Sequence, residues 1–208
     1  MQATKRGLFI VFEGLDHSGK TTQSNLLYQY IKAKTIPVRH IAFPNRTTPI
    51  GSIINSYLKS SQQLSDQSIH LLFSANRWEL AESIENDVTN GITVICDRYA
   101  YSGVAYSNAK GLDLEWCRAP DRSLPRPDLV FFLSIPVEII SKRASFGEEK
   151  YEKIEFQKKV SEAFAHIVEN YWVTLDGNDK VDTISSKIAV EYENESKKAA
   201  KSLSKLFK

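Results

Sequence analysis

The chain has 208 residues, 42% hydrophobic and 25% charged, and 27 Lys and Arg against 25 Asp and Glu leave a net charge of +2. That length suffices for one α/β domain with a sizeable core. The near balance of charge excludes a general electrostatic nucleic-acid binder, and no apolar run is long enough to cross a bilayer.

In chain order, residues 8–12 are a continuous apolar run, the pattern of a strand buried on both faces. Directly behind it stands Gly14-Leu15-Asp16-His17-Ser18-Gly19-Lys20-Thr21, which fits G-x-x-x-x-G-K-[ST], the phosphate-binding loop. Gly14 and Gly19 let the backbone turn so that successive N–H groups, those of His17 and Ser18 among them, surround phosphate oxygens. Lys20 supplies a point charge, Thr21 a hydroxyl for Mg2+, and the helix opening at Gly19 points its positive end at the anion. That helix is predicted over 20–34, with Leu26, Leu27, Tyr30 and Ile31 on one face.

A second strand is predicted over 38–42, followed by Phe43-Pro44-Asn45-Arg46. A long helix is predicted over 66–90, with Ile69, Leu72, Phe73, Asn76, Leu80, Ile84 and Val88 on its apolar face. A third strand over 92–96 is followed by Asp97-Arg98-Tyr99. The Pro-rich segment 120–127 reads as a surface loop before a fourth strand over 129–133. Residues 144–152 hold a glycine, charge and few apolar side chains, and read as a mobile lid. A helix over 155–169, a strand over 172–175 and a helical tail from 180 follow, the tail arranged around Ile184, Ile188, Val190, Leu203 and Leu206. The lysines of the tail read as a solvated face. Strand–helix alternation predicts a five-stranded parallel sheet with helices on both faces, in a single domain over 1–208.

In such a sheet, ligands bind beyond the carboxyl ends of the strands. Arg46 and Arg98 both fall there, beside the phosphate loop. Two guanidinium forks at one place suggest a second phosphorylated molecule. Asp97 can hold Mg2+ directly or through water. Two plainer readings stay open: Asp97 and Arg98 as a local ion pair, and Arg46 in solvent beyond a rigid turn. Phe73 and Arg77, four apart on one helical face, can stack a flat base and bond its edge, or Phe73 can be plain core. Cys96 and Cys117 lack metal or redox spacing, and residues 1–7 lack a signal-peptide layout, so a cytosolic or nuclear location is expected. His40, His70 and His166 lack metal-ligand spacing and read as structural.

Together these segments resemble the thymidylate kinases over nearly the whole chain. The carriers are the loop 14–23, Phe43-Pro44-Asn45-Arg46, the run 71–79 (Leu-Leu-Phe-Ser-Ala-Asn-Arg-Trp-Glu), the run 97–106 (Asp-Arg-Tyr-Ala-Tyr-Ser-Gly-Val-Ala-Tyr), Pro127-Asp128-Leu129, and the run 146–152 (Phe-Gly-Glu-Glu-Lys-Tyr-Glu). The pattern is similar to the eukaryotic type, and residues 64–70 look fungal. The resemblance implies a P-loop NTPase fold of the nucleoside monophosphate kinase kind, transferring the ATP γ-phosphoryl to dTMP with Mg2+, in a homodimer without nucleic-acid or membrane partners.

It also implies roles. Phe73 stacks the thymine and Arg77 bonds its carbonyl edge, with Phe43 in the same pocket. Arg46 and Arg98 hold the dTMP phosphate, and Arg98 lies near the transferred group. Asp16 accepts from the sugar 3′-hydroxyl and, with Lys20 and Arg98, forms the catalytic set. Tyr106 packs where a ribonucleotide's extra hydroxyl would crowd it, and Ser102 and Gly103 line the same pocket. Gly14, His17, Ser18, Gly19, Lys20, Thr21 and Thr22 bind ATP, while Arg143 and the loop around 177–179 flank the adenine. Tyr151 and Gln157 belong to the lid region.

Two positions depart from the family pattern. His17 stands where eukaryotic members usually carry Arg or Lys, and Asn45 where Glu or Gln is commoner. A histidine is largely neutral at pH 7. Three readings follow: His17 is protonated by nearby phosphates, or Lys142, Arg143 or Lys150 supplies the charge, or His17 simply faces solvent. A kinase acting on a neutral hydroxyl is the nearest rival, with Glu13 as its base. A GTP-binding switch is the other, but Asn178-Asp179-Lys180-Val181-Asp182 lacks the guanine-reading pattern.

Overall fold

The five predicted strands are present: β1 Phe9–Gly14, β2 Val38–Ala42, β3 Thr93–Asp97, β4 Leu129–Ser134 and β5 Trp172–Asp176. The computed structural model describes residues 6–143, 146–198 and 202–208. All neighbouring strands are parallel, in the order β2-β3-β1-β4-β5. β1 is central and wholly buried, with Val11 opposite Cys96 of β3 and Val130 of β4. Chain connections leave β1 toward β2 on one side and later pass to β4 on the other. That reversal opens a crevice at the carboxyl ends of β1 and β3, where Gly14 and Asp97 end their strands.

The helices are α1 Lys20–Ala33, α2 Pro49–Leu58, α3 Asp66–Thr89, α4 Ala100–Asn108, α5 Leu114–Arg118, α6 Val137–Ile140, α7 Ile154–Ala165 and α8 Val181–Lys197. One face of the sheet packs Ile10, Phe12, Ile95 and Phe131 against Leu27 and Ile31 of α1 and Ile184 and Ile188 of α8. The other packs Phe9, Val11, Val94 and Val130 against α3, α4 and α7 through Ile84, Val88, Val104 and Phe164. The inner strands β1, β3 and β4 are buried on both faces, which is why their runs are mostly apolar, while the edge strands β2 and β5 are only partly buried.

Several expectations need correction. α2, α4, α5 and α6 lie between the predicted elements. The tail is helical only to Lys197, and Leu206 is buried by pairing with the Pro-rich segment: Leu206 N–H donates to Leu124 O at 2.8 Å, Ser123 N–H donates to Leu206 O at 3.0 Å and Arg126 N–H donates to Ser204 O at 2.8 Å. Leu203 is likewise outside any helix. Val190, 58% exposed, and Leu26, 37% exposed, face outward. The Pro-rich segment is no plain surface loop, because Asp121 and Leu124 within it are wholly buried. Ala144 and Ser145 of the expected lid lie outside the described residues.

Candidate active site

The loop between β1 and α1 turns as its glycines allow: Gly14 has φ 141°, Gly19 φ 99°, and a Cβ on Gly14 would meet the Leu133 carbonyl oxygen at 2.6 Å. Lys20 is buried under the loop, its Nζ donating to Leu15 O at 2.5 Å and to Ser18 Oγ at 3.2 Å. Burial first, then the neighbouring Arg98, lowers its pKa to about 7. Thr21 Oγ1 donates to Asp97 Oδ2 at 2.5 Å, so the helix hydroxyl and the β3 carboxylate meet at the loop's rim.

Arg98 leaves the end of β3 with φ 65° and turns back toward β1. Its Nη1 donates to Gly14 O at 2.9 Å and Ser102 Oγ at 3.1 Å, and its Nη2 pairs with Asp16 Oδ1 at 2.5 Å. Asp97 bonds Thr21 and Arg98 bonds Asp16, so the reading of Asp97 and Arg98 as a mutual pair is set aside. Asp16 also accepts from Tyr106 OH at 2.9 Å and Gln157 Nε2 at 2.7 Å. Burial would raise its pKa, but Arg98 and Lys20 outweigh this and hold the carboxyl below its ordinary value. Glu13 is spoken for: wholly buried, it accepts from Tyr99 N–H at 2.9 Å, Ser102 N–H at 3.1 Å and Ser102 Oγ at 2.5 Å. It caps α4, at whose N-terminus a carboxylate is favoured, and the proposed base of the rival kinase is thereby corrected to a structural cap.

A cavity of about 600 Å³ runs from the loop to α3 and α4. Its walls bring together the predicted His17, Gly19, Lys20, Thr21, Thr22, Phe43, Arg46, Phe73, Arg77, Asp97, Arg98, Ser102, Gly103, Tyr106, Arg143 and Tyr151. Gly14, Asp16, Ser18 and Gln157 are not in the wall. They stand behind it, as partners of Arg98, Lys20 and each other. Gln157 is wholly buried and accepts from the Asp16 N–H at 3.2 Å. Arg77 is almost fully buried, its Nε and Nη2 donating to Asp121 at 3.1 and 2.6 Å. Gly103 matters here, since a Cβ at that position would come within 2.8 Å of the Arg77 guanidinium.

The expected lid is fastened across the mouth. Glu152 Oε2 accepts from the N–H groups of Gly147, Glu148 and Glu149 at 2.8, 2.9 and 3.2 Å, and its Oε1 meets His17 Nε2 at 3.0 Å. His17 therefore contacts the lid and packs its ring edge-on to Phe146, correcting the reading in which it faces open solvent. Glu149 pairs with Arg46 at 2.8 Å, so Arg46 sits at the rim in an ion pair and not in free solvent. Of the three alternative cations, Arg143 alone lines the cavity, donating to His17 O at 2.5 Å and Gly177 O at 3.0 Å. Lys150 is turned to Gln63 and the Tyr57 ring, and Lys142 is exposed.

Sequence reasoning missed Ser107, Tyr99, Leu58 and Glu149 in the wall and Asp121 behind it. Ser107 carried a signal, lying one helical turn beyond Gly103. Asp121 carried none, because its partner Arg77 is far away in the sequence.

A glycine-rich loop feeding a buried lysine, at the switch point of a parallel sheet, with an arginine-lined pocket and Glu149 and Tyr151 in the wall of the same cavity, defines a P-loop kinase of the nucleoside monophosphate kinase class. The model of the family described as Thymidylate kinase matches residues 12–188. A thymidylate kinase of Plasmodium falciparum is 51% identical over 90% of each chain, and one of Schizosaccharomyces pombe is 48% identical over 90% of this chain and 92% of its own. The solved structure of thymidylate kinase from Candida albicans superposes with a TM-score of 0.87 at 38% identity, covering 96% of this chain and 98% of that one. The chain belongs to the thymidylate kinase family.

Proposed function

We infer that this chain transfers the ATP γ-phosphoryl group to an oxygen of the dTMP phosphate, giving dTDP and ADP, in the supply of dTTP for DNA replication. The observation that carries the reading is one cavity walled at one end by Lys20 and Thr21 and at the other by Phe73 and Arg77, with Arg98 between. The acceptor phosphate is already anionic near neutral pH, its second pKa being about 6. No general base is required, which fits the commitment of Glu13 to the α4 cap. Catalysis is then positioning and charge neutralisation. Lys20 faces the donor phosphates, Arg98 the transferred group, Arg46 the acceptor phosphate, and Phe73 stacks the thymine. Asp16, held by Arg98, Tyr106 and Gln157 just behind the wall, keeps 20% of its side chain exposed, and that edge of the carboxylate is offered to the sugar hydroxyl. Arg143 takes the place of the family's usual loop cation beside His17. The lid excludes water.

Mg2+ belongs to the same proposal. Thr21 and Asp97 offer the hard oxygen donors it prefers, and few protein ligands are needed where phosphates supply the rest. When bound it neutralises charge on the phosphate oxygens. A homodimer is also proposed. Leu71 and Trp78, 48% and 43% exposed and seven residues apart on α3, support it by sharing an outward face.

The test is ADP release with dTMP or thymidine as acceptor. Turnover with dTMP and not with thymidine is expected, and a preference for thymidine would overturn the assignment. Lys20→Ala should abolish turnover while dTMP still binds. Loss of both together would remove the separate donor and acceptor ends.

A further inference from the structure

Behind the base end of the cavity lies a buried polar chain outside the proposed catalytic set. On α3, His70, Ser74 and Arg77 follow at helical spacing on the face turned to α4. His70 is wholly buried, with Nε2 2.9 Å from the Cys117 carbonyl oxygen and Nδ1 2.7 Å from Ser107 Oγ. A carbonyl oxygen can only accept, so Nε2 carries the proton and donates. In a neutral imidazole Nδ1 is then the acceptor, and the Ser107 hydroxyl donates to it. Burial, reinforced by Arg77, lowers the His70 pKa. Asp121 and the carbonyls of Cys117 and Gly103 pull the other way without reversing this, so the ring is neutral at neutral pH. With its single proton spent on His70, Ser107 Oγ has only lone pairs left for the cavity it lines.

The opposite polarity stands one turn of α4 away. Arg77 can only donate, and Asp121 holds its Nε and Nη2 against the space that Gly103 leaves open. An acceptor and a donor thus line the same wall of the cavity, one at Ser107 and one against Gly103. That pair complements a pyrimidine whose ring N–H adjoins a carbonyl. It opposes one whose bare ring nitrogen adjoins an amino group, since lone pair would meet lone pair and N–H would meet N–H.

Resting on the dTMP reading above, we propose that His70 is a specificity-determining positioning residue: it fixes the Ser107 hydroxyl as an acceptor, so that the cavity takes pyrimidine-2,4-dione nucleotides and rejects cytosine-type ones.

The test compares kcat/KM for dTMP and for 5-methyl-dCMP. His70→Phe, which frees the Ser107 hydroxyl to turn, should lower the preference for dTMP roughly 10- to 100-fold, mainly through KM. His70→Asn, whose Oδ1 can stand in for Nδ1, should recover most of it. Ser107→Ala should show the same loss, with no further loss in the double variant. An unchanged preference in His70→Phe overturns the proposal. If that variant does not fold, nitrogen-15 spectra of the wild-type histidine decide: a proton on Nε2 alone is expected at pH 7.5, and a proton on Nδ1 contradicts the relay. Failure of the wild type to phosphorylate dTMP would instead remove the acceptor assignment, and the tautomer measurement would still judge the relay.

Discussion

Lys20 sits where an ammonium is costly and an anion makes it favourable. Its pKa, about 7 in the folded chain, lies below the ordinary 10.5 because burial and Arg98 disfavour the charge. Between these values the unfolded chain holds a proton that the folded chain has released, so this group's contribution to stability rises with pH across the window and is least favourable below about 7. A polyphosphate beside it favours the charged form and raises the pKa again. Binding of ATP at pH 8 should therefore take up a proton, seen as a binding enthalpy that changes with the ionisation enthalpy of the buffer and loses that dependence in Lys20→Met. Buffer-independent heats would contradict this assignment. At Phe73, replacement by alanine should raise KM for dTMP by the loss of stacking, about 1–3 kcal/mol, and an unchanged KM would remove the ring from the base pocket. Lys20, Thr21 and Arg98 were legible because their chemistry is written in contiguous residues beside a strand. Asp121, Ser107 and His70 were not, because each gains its meaning from a partner on another element.

Residues 146–152 meet the phosphate loop at His17. Glu152 accepts from three N–H groups of this segment with one oxygen and meets His17 with the other, so a single carboxylate both shapes the segment proposed as a lid and docks it. Glu152→Gln keeps the shape and removes the charge. It should raise ATP hydrolysis without dTDP formation, measured as the ratio of ADP to dTDP, because a loosened lid admits water. An unaltered ratio would make the segment an ordinary exposed loop. The inner strands β1, β3 and β4 could be read because burial on both faces demands mostly apolar runs, whereas the edge strands β2 and β5 are only partly buried and carry Arg39, His40 and Thr174. The short helices could not. α4 is built of Ala, Tyr, Ser, Gly, Val and Asn, and its start is fixed by Glu13 on a distant strand rather than by a local capping residue.

Across the whole molecule, the sheet order β2-β3-β1-β4-β5 places the ends of β1 and β3 side by side, so the phosphate loop and the arginine after β3 face one space. Its outer surface carries a further consequence. If Leu71 and Trp78 on α3 meet a second copy, Leu71→Glu should shift the mass by light scattering from dimer to monomer at micromolar concentration, and an unchanged mass would place any interface elsewhere. In the proposed reaction, donor and acceptor nucleotides share one cavity with their phosphates end to end. Calorimetric titration with adenosine joined to thymidine through a polyphosphate bridge probes this arrangement in one experiment. One equivalent per chain, displaced competitively by ATP and by dTMP alike, is the predicted result. Two equivalents per chain, or displacement by only one of the two nucleotides, would contradict it.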